Sequence, residues 1–168
     1  MSNRTHYISS AAVALLLLVV QTVFIPFFAV GGYMPDILLI WLVYIAVRRG
    51  QIEATLSGFA VGLLQDIIAT RFFGLAALAK TVAAFCAGYF FNDNMIEQTL
   101  GSYRYVMIVA ITSFIHDFIL FAIFFQGAEG SVLFLTFKSS FAATIYTSLF
   151  CIFPMFIFSR KYRTSWVQ

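Results

Sequence analysis

The chain has 168 residues, of which 62% are hydrophobic and only 10% charged, and its mean hydropathy is +0.95. A soluble domain typically carries about 25% charged residues, and a chain this small buries only about 70% of the surface it exposes when unfolded. Lipid must therefore be the solvent over most of the surface, which excludes a cytosolic enzyme, a secreted disulfide scaffold, a disordered chain and a nucleic-acid binder. The pI of about 9.0 reflects ten basic against seven acidic residues, most of the bases lying at the edges of apolar runs.

Breaks at Gly31-Gly32, Arg48-Arg49-Gly50, Thr70-Arg71, 92–102 and 126–130 divide the chain into six apolar segments, about 8–30, 35–47, 52–69, 72–91, 103–125 and 132–158. A bilayer core about 30 Å thick takes roughly 20 apolar residues of helix, so the pattern predicts one all-α integral membrane domain over 1–168, a six-transmembrane-helix bundle. The first run, Ala11–Val20, resembles a signal-peptide core behind Arg4. No small-x-small cleavage site follows it, so an uncleaved helix is expected.

The second segment is short enough for a re-entrant hairpin, and charge placement decides the matter. With six crossings and the N-terminus inside, Arg4, Arg48, Arg49, Arg104, Arg160, Lys161 and Arg163 are cytoplasmic, and only Arg71 is external. That asymmetry is the positive-inside pattern, so both termini are expected in the cytoplasm. Snorkelling of Arg48 and Arg49 and local thinning accommodate the short helix. Pro35 suits its first turn, and Asp36 complements the positive helix start.

In the third segment Ala54, Gly58, Gly62 and Asp66 recur every fourth residue, as do Ala76, Lys80, Ala84 and Gly88 in the fourth. Each set lines one helix face. The two faces are expected to meet as an antiparallel hairpin, since helices in lipid associate through small residues.

Four ionisable residues fall within the spans: Asp66, Lys80, Asp117 and Lys138. At 1.5 Å per residue they lie about 6, 12, 14 and 9 Å from the outer edge, all in the outer half. The shared depth predicts that Asp66 pairs with Lys80, and Asp117 with Lys138 or Lys80; the alternative is that the lysines snorkel to the outer headgroups. His116 precedes Asp117, but helix neighbours point about 100° apart. No metal site is expected, and His116 reads as a hydrogen-bonded packing residue. Cys86 and Cys151 lie in apolar runs with no CxxC pair, as buried thiols do.

No chain of titratable groups crosses the full thickness, which argues against a proton-coupled pump. No nucleophile–base pair, glycine-rich phosphate loop or cofactor motif is present. Ser139, Ser140, Thr144, Thr147 and Ser148 form a polar stretch suited to interhelical hydrogen bonds. The 92–102 loop is the one sizeable cytoplasmic connection, a partner contact or a solvated loop. Two stretches, 62–68 and 113–119, echo each other weakly around Asp66 and Asp117.

Pro35-Asp36, then Arg48-Arg49-Gly50, Gly58-Phe59, Gly62-Leu63-Leu64-Gln65-Asp66 and Phe73-Gly74-Leu75-Ala76-Ala77-Leu78 resemble, in order and spacing, the bacterial MreD family of rod shape-determining membrane proteins. Asp117 and the Pro154 … Arg160-Lys161 ending fit as well, while Lys80 and Lys138 belong to no recognised part of that pattern. The resemblance implies a fold similar to the substrate-binding S components of energy-coupling-factor vitamin transporters. It implies a non-enzymatic scaffold role in lateral wall elongation at the inner membrane. MreC, RodA, a class B penicillin-binding protein and MreB filaments are the implied partners, beside membrane lipid. Interaction surfaces are then expected at the Asp66–Gly74 outer turn and the 92–102 loop. The alternative is a vitamin-binding transport subunit, but Ala11, Ala12 and Ala14 lack the Ala-x-x-x-Ala spacing of such a subunit's first helix. A lipid or wall-precursor flippase is a third reading, without a continuous polar groove to support it.

Overall fold

In a computed structural model, residues 2–69, 73–127 and 131–163 are described, with side chains unassigned at 2–7, 69 and 161–163. The Thr70-Arg71 break, most of the 126–130 break and the side chains of Arg4, Lys161 and Arg163 lie outside the described residues. Every regular element among the described residues is helical: α1 (Ser2–Val23), α2 (Ile37–Arg49), α3 (Gln51–Ala69), α4 (Leu75–Gly88), α5 (Ile96–Leu100), α6 (Tyr103–Phe124) and α7 (Val132–Arg163). Each of the six apolar segments thus carries one helix, the shortest being α2 with 13 residues, and α5 is additional.

Two helices are long and apolar enough to cross a membrane, at Tyr103–Phe124 and Val132–Arg160. A third crossing arises if the pair Leu75–Gly88 and Asp93–Leu100, bent by 83°, counts as one span. The expected count of six exceeds this because several helices fall short. The first segment does not run as helix to Val30: Pro26 cannot donate a backbone hydrogen bond, and the chain passes into a short 3-10 turn, Ile25–Phe28. A tight reversal follows, in which Val30 and Tyr33 exchange backbone hydrogen bonds across Gly31 and Gly32.

Helix α2, 13 residues and about 20 Å long, is the centre of the bundle. Leu38, Leu39, Leu42, Val43, Ala46 and Val47 are all but inaccessible. The main core joins Val43, Ala46 and Val47 to Ala84 and Ala87 of α4, Leu100 of α5, Tyr105, Ile108 and Val109 of α6 and Cys151 of α7. The Tyr105 hydroxyl, fully buried, donates to the Ile40 carbonyl at 2.8 Å. Pro35 was expected in the first turn of α2, yet the helix begins at Ile37 and Asp36 is its N-cap, so Pro35 stands just ahead of the cap. Between α2 and α3 a single residue, Gly50 at φ 89°, reverses the chain.

The predicted small-residue faces of α3 and α4 meet. A Cβ on Gly62 would lie 2.5 Å from Ala77 Cα, one on Gly58 2.8 Å from the Lys80 carbonyl, and one on Gly88 2.5 Å from Gln51 Cα. The backbones are therefore in contact along the whole pair, in antiparallel register. The 92–102 segment is more than a solvated loop. A 3-10 turn, Asp93–Met95, leads into α5, whose Thr99 and Leu100 are buried.

Candidate functional site

The site begins at the start of α2. Asp36 Oδ1 accepts from Leu39 N at 2.9 Å, capping the helix, which leaves Oδ2 pointing at α4. There the Lys80 ammonium forms a hydrogen-bonded ion pair with it, and Lys80 is wholly inaccessible. Oδ2 also lies 3.8 Å from His116 Nε2 on α6, and the ammonium lies 3.4 Å from that same nitrogen. The other ring nitrogen, Nδ1, is 2.9 Å from Asp117 Oδ1. These distances match a tautomer in which Nδ1–H donates to Asp117 and Nε2 accepts from Lys80. Asp117 Oδ2 further accepts from Ser113 Oγ at 3.1 Å and Thr144 Oγ1 at 3.5 Å. The Asp36 backbone N–H donates to Thr147 Oγ1 at 3.2 Å. Four helices, α2, α4, α6 and α7, are thereby joined through one buried run of polar groups.

A buried ion is costly unless its charge is paired and its remaining donors and acceptors are used. In the cluster Lys80 pairs its charge with Asp36, and Asp117 is held by hydrogen bonds from His116, Ser113 and Thr144. Asp36, Lys80, His116 and Asp117 are each buried, and every one of them has a charged or hydrogen-bonding neighbour. Among the described residues no group of three His, Cys, Asp or Glu is arranged to hold a metal ion.

The expected pairing of Asp66 with Lys80 does not form. Asp66 instead accepts from the backbone N–H groups of Gly74 at 3.1 Å, Ala76 at 3.0 Å and Ala77 at 2.9 Å. The opening turn of α4 presents unpaired donors in an apolar setting, and a carboxylate four residues beyond the last α3 glycine is the acceptor within reach. Lys80 then turns to Asp36, which the depth argument omitted because it stands at a helix start. Lys138 is exposed on α7 and takes no part in the cluster; Asp117 meets His116, Ser113 and Thr144 instead. His116 is hydrogen-bonded as expected, but to two members of an ionic cluster. Of the polar residues on α7, Ser139 bonds the Tyr33 hydroxyl at 3.1 Å, and Thr144 and Thr147 serve the cluster. The buried hydroxyls of Thr136, Ser140 and Ser148 lack a hydrogen-bond partner. Cys86 and Cys151 are both free thiols.

Gln21 was missed by the sequence reading. Its amide nitrogen donates to the Pro35 carbonyl at 3.1 Å, and its oxygen accepts from Ile37 N at 2.9 Å, so α1 grips the start of α2 on both sides of Asp36. A polar amide inside the 11–30 run, where Thr22 is the one other polar residue, is the signal that marks it.

No curated protein and no solved structure matches the chain. The profile of the family described as rod shape-determining protein MreD matches residues 2–164. With the Pro-Asp helix start, the paired glycines and Asp66 all in structural use, and nearly the whole length matched, the chain belongs to the MreD family of rod shape-determining proteins.

Proposed function

We propose that this chain is a non-enzymatic, six-span scaffold subunit of the bacterial wall-elongation complex, supporting lateral peptidoglycan synthesis from the inner membrane. MreC is its direct partner in this reading, with RodA, a class B penicillin-binding protein and MreB filaments in the same assembly. A fold related to the transporter S components belongs to the same reading and is supported by the family alone.

The observation that carries the proposal is the closure of the ionic cluster. Its charged groups contact one another and the helix framework, and Lys80 has no accessible surface. A catalytic group must reach a reacting atom; these groups reach the bundle. Large apolar side chains cover the exterior instead, Phe27, Phe73 and Phe153 among the most exposed.

The topology is supported by contacts at one end. Tyr44, a turn before the end of α2, stacks on Phe158 of α7 at 5.3 Å, and Tyr105, near the start of α6, meets the same ring at 6.2 Å. Arg48, Arg49, Arg104 and Arg160 are carried by those helix ends, as the positive-inside pattern requires of a cytoplasmic face. The rival vitamin-binding role needs a polar cavity at the opposite end, where the closed cluster sits.

Mild detergent extraction of the tagged chain from its native membrane tests the proposal. A single-pass MreC should co-purify. Recovery of a tightly bound vitamin without a single-pass partner overturns it, and tags on the two tails reporting opposite faces overturn the topology.

A further inference from the structure

A groove of about 1220 Å³ runs along the flank of α2 between α1 and α7. That exceeds the roughly 300–1,000 Å³ of small-ligand pockets. Its walls are apolar: Val13 of α1, Trp41 of α2, and Phe150, Phe153 and Ile157 of α7. Among the described residues its charged lining is Arg48, Arg49 and Glu53, together at the α2–α3 turn, with Ser9 and Ser10 of α1 as further polar groups. Arg49 lies 3.5 Å from Glu53, while Arg48 hydrogen-bonds the Tyr44 hydroxyl and sits 5.7 Å over its ring.

We propose that this groove binds an anionic glycerophospholipid, its acyl chains between α1 and α7 and its phosphate at Arg48 and Arg49. The charge at the mouth favours an anion, and guanidinium forks suit phosphate oxygens in particular. The layout, apolar along its length and cationic at one end, is the complement of an amphipathic chain molecule. A partner helix suits it less. Close helix approach in lipid uses small residues, whereas these walls carry Trp41, Phe150 and Phe153, whose uneven surface flexible chains can follow. The proposal requires only that this flank meets lipid, and it is independent of the scaffold role.

The chain has two tryptophans, Trp41 in the groove and Trp166 beyond the described residues. The full chain with Trp166→Phe leaves Trp41 as its one indole. It is reconstituted in phosphatidylcholine vesicles containing, at equal mole fraction, either phosphatidylglycerol or phosphatidylcholine with brominated acyl chains. The brominated anionic lipid should quench Trp41 with a preference of about fivefold, the scale of one arginine–lipid contact. The preference should vanish in Arg48→Gln/Arg49→Gln. Equal quenching by the two lipids overturns the proposal, as does a Trp41 that neither lipid quenches because a second copy or a partner helix covers it. Should the double variant fail to fold, a salt titration of the arginine-bearing protein decides. An electrostatic preference shrinks with ionic strength, and one that does not shrink overturns the assignment.

Discussion

Lys80 of α4 closes on Asp36, 44 residues earlier, at the first turn of α2. Asp36 divides its two oxygens between tasks, Oδ1 capping α2 and Oδ2 holding the ammonium. Asn at this position keeps the cap and loses the charge. Asp36→Asn and Lys80→Met alone should each lower stability by about 3–5 kcal/mol, because each strands a buried charge or its partner. The double variant should be less destabilised than the two losses added. Thermal melting in a fixed detergent measures all three, and strict additivity would show that the pair contributes no coupling.

Asp66 makes a contrasting prediction. Its three acceptor bonds hold the start of α4. Asp66→Ala should cost about 1–2 kcal/mol, as helix-cap losses do. Exchanging the charges in Asp66→Lys/Lys80→Asp should give no rescue relative to the single reversals, since the two side chains serve different partners. Recovery of stability in the exchanged variant would count against the observed arrangement.

Gly62→Ala and Gly58→Ala test the α3–α4 contact. A methyl group on Gly62 would meet the backbone of Ala77 at 2.5 Å, and one on Gly58 the Lys80 carbonyl at 2.8 Å. Backbone cannot swing aside as a side-chain tip does, so each substitution should cost about 1–3 kcal/mol through overpacking. A larger enlargement at Ala60, exposed on the far side of α3, namely Ala60→Leu, should be nearly silent. The comparison is read from melting temperatures, and an equal loss at all three positions would be inconsistent with a specific contact.

Gln21→Leu removes both bonds that α1 makes to the start of α2. The Pro35 carbonyl and the Ile37 N–H lose a partner together, so a loss of about 1–3 kcal/mol is expected. Hydrogen exchange should report it locally, with faster exchange over the first turn of α2 and little change in α6. Uniform acceleration across the bundle would point to global unfolding instead.

The helices and the glycine faces could be read from the chain because both rest on local signals: apolar runs long enough for helix, and small residues on one face at Ala54, Gly58 and Gly62 and at Ala76, Ala84 and Gly88. The ionic cluster was legible only in part. Lys80 and Asp117 were singled out by their depth, and they do stand in one cluster, but the link between them is His116 and the acceptor is Asp36. Depth along separate helices says nothing about azimuth, and a helix-start carboxylate looks complete once it caps. The short α5 was unreadable for a related reason: Leu100 is buried only because the bend after α4 returns the chain to the core. Pro26 was visible, and its effect on the first segment follows from ring chemistry that an apolar run length does not register.

The polar cluster also sets a timetable for biosynthesis. Asp36 leaves the ribosome 44 residues ahead of Lys80 and 111 ahead of Thr147. At about 5–20 residues per second, the first interval lasts roughly 2–9 s and the second considerably longer. Until α4 is delivered the Asp36 carboxyl group has no Lys80 to pair with, and it escapes the cost of a bare buried charge by staying at the hydrated membrane edge or by taking up a proton.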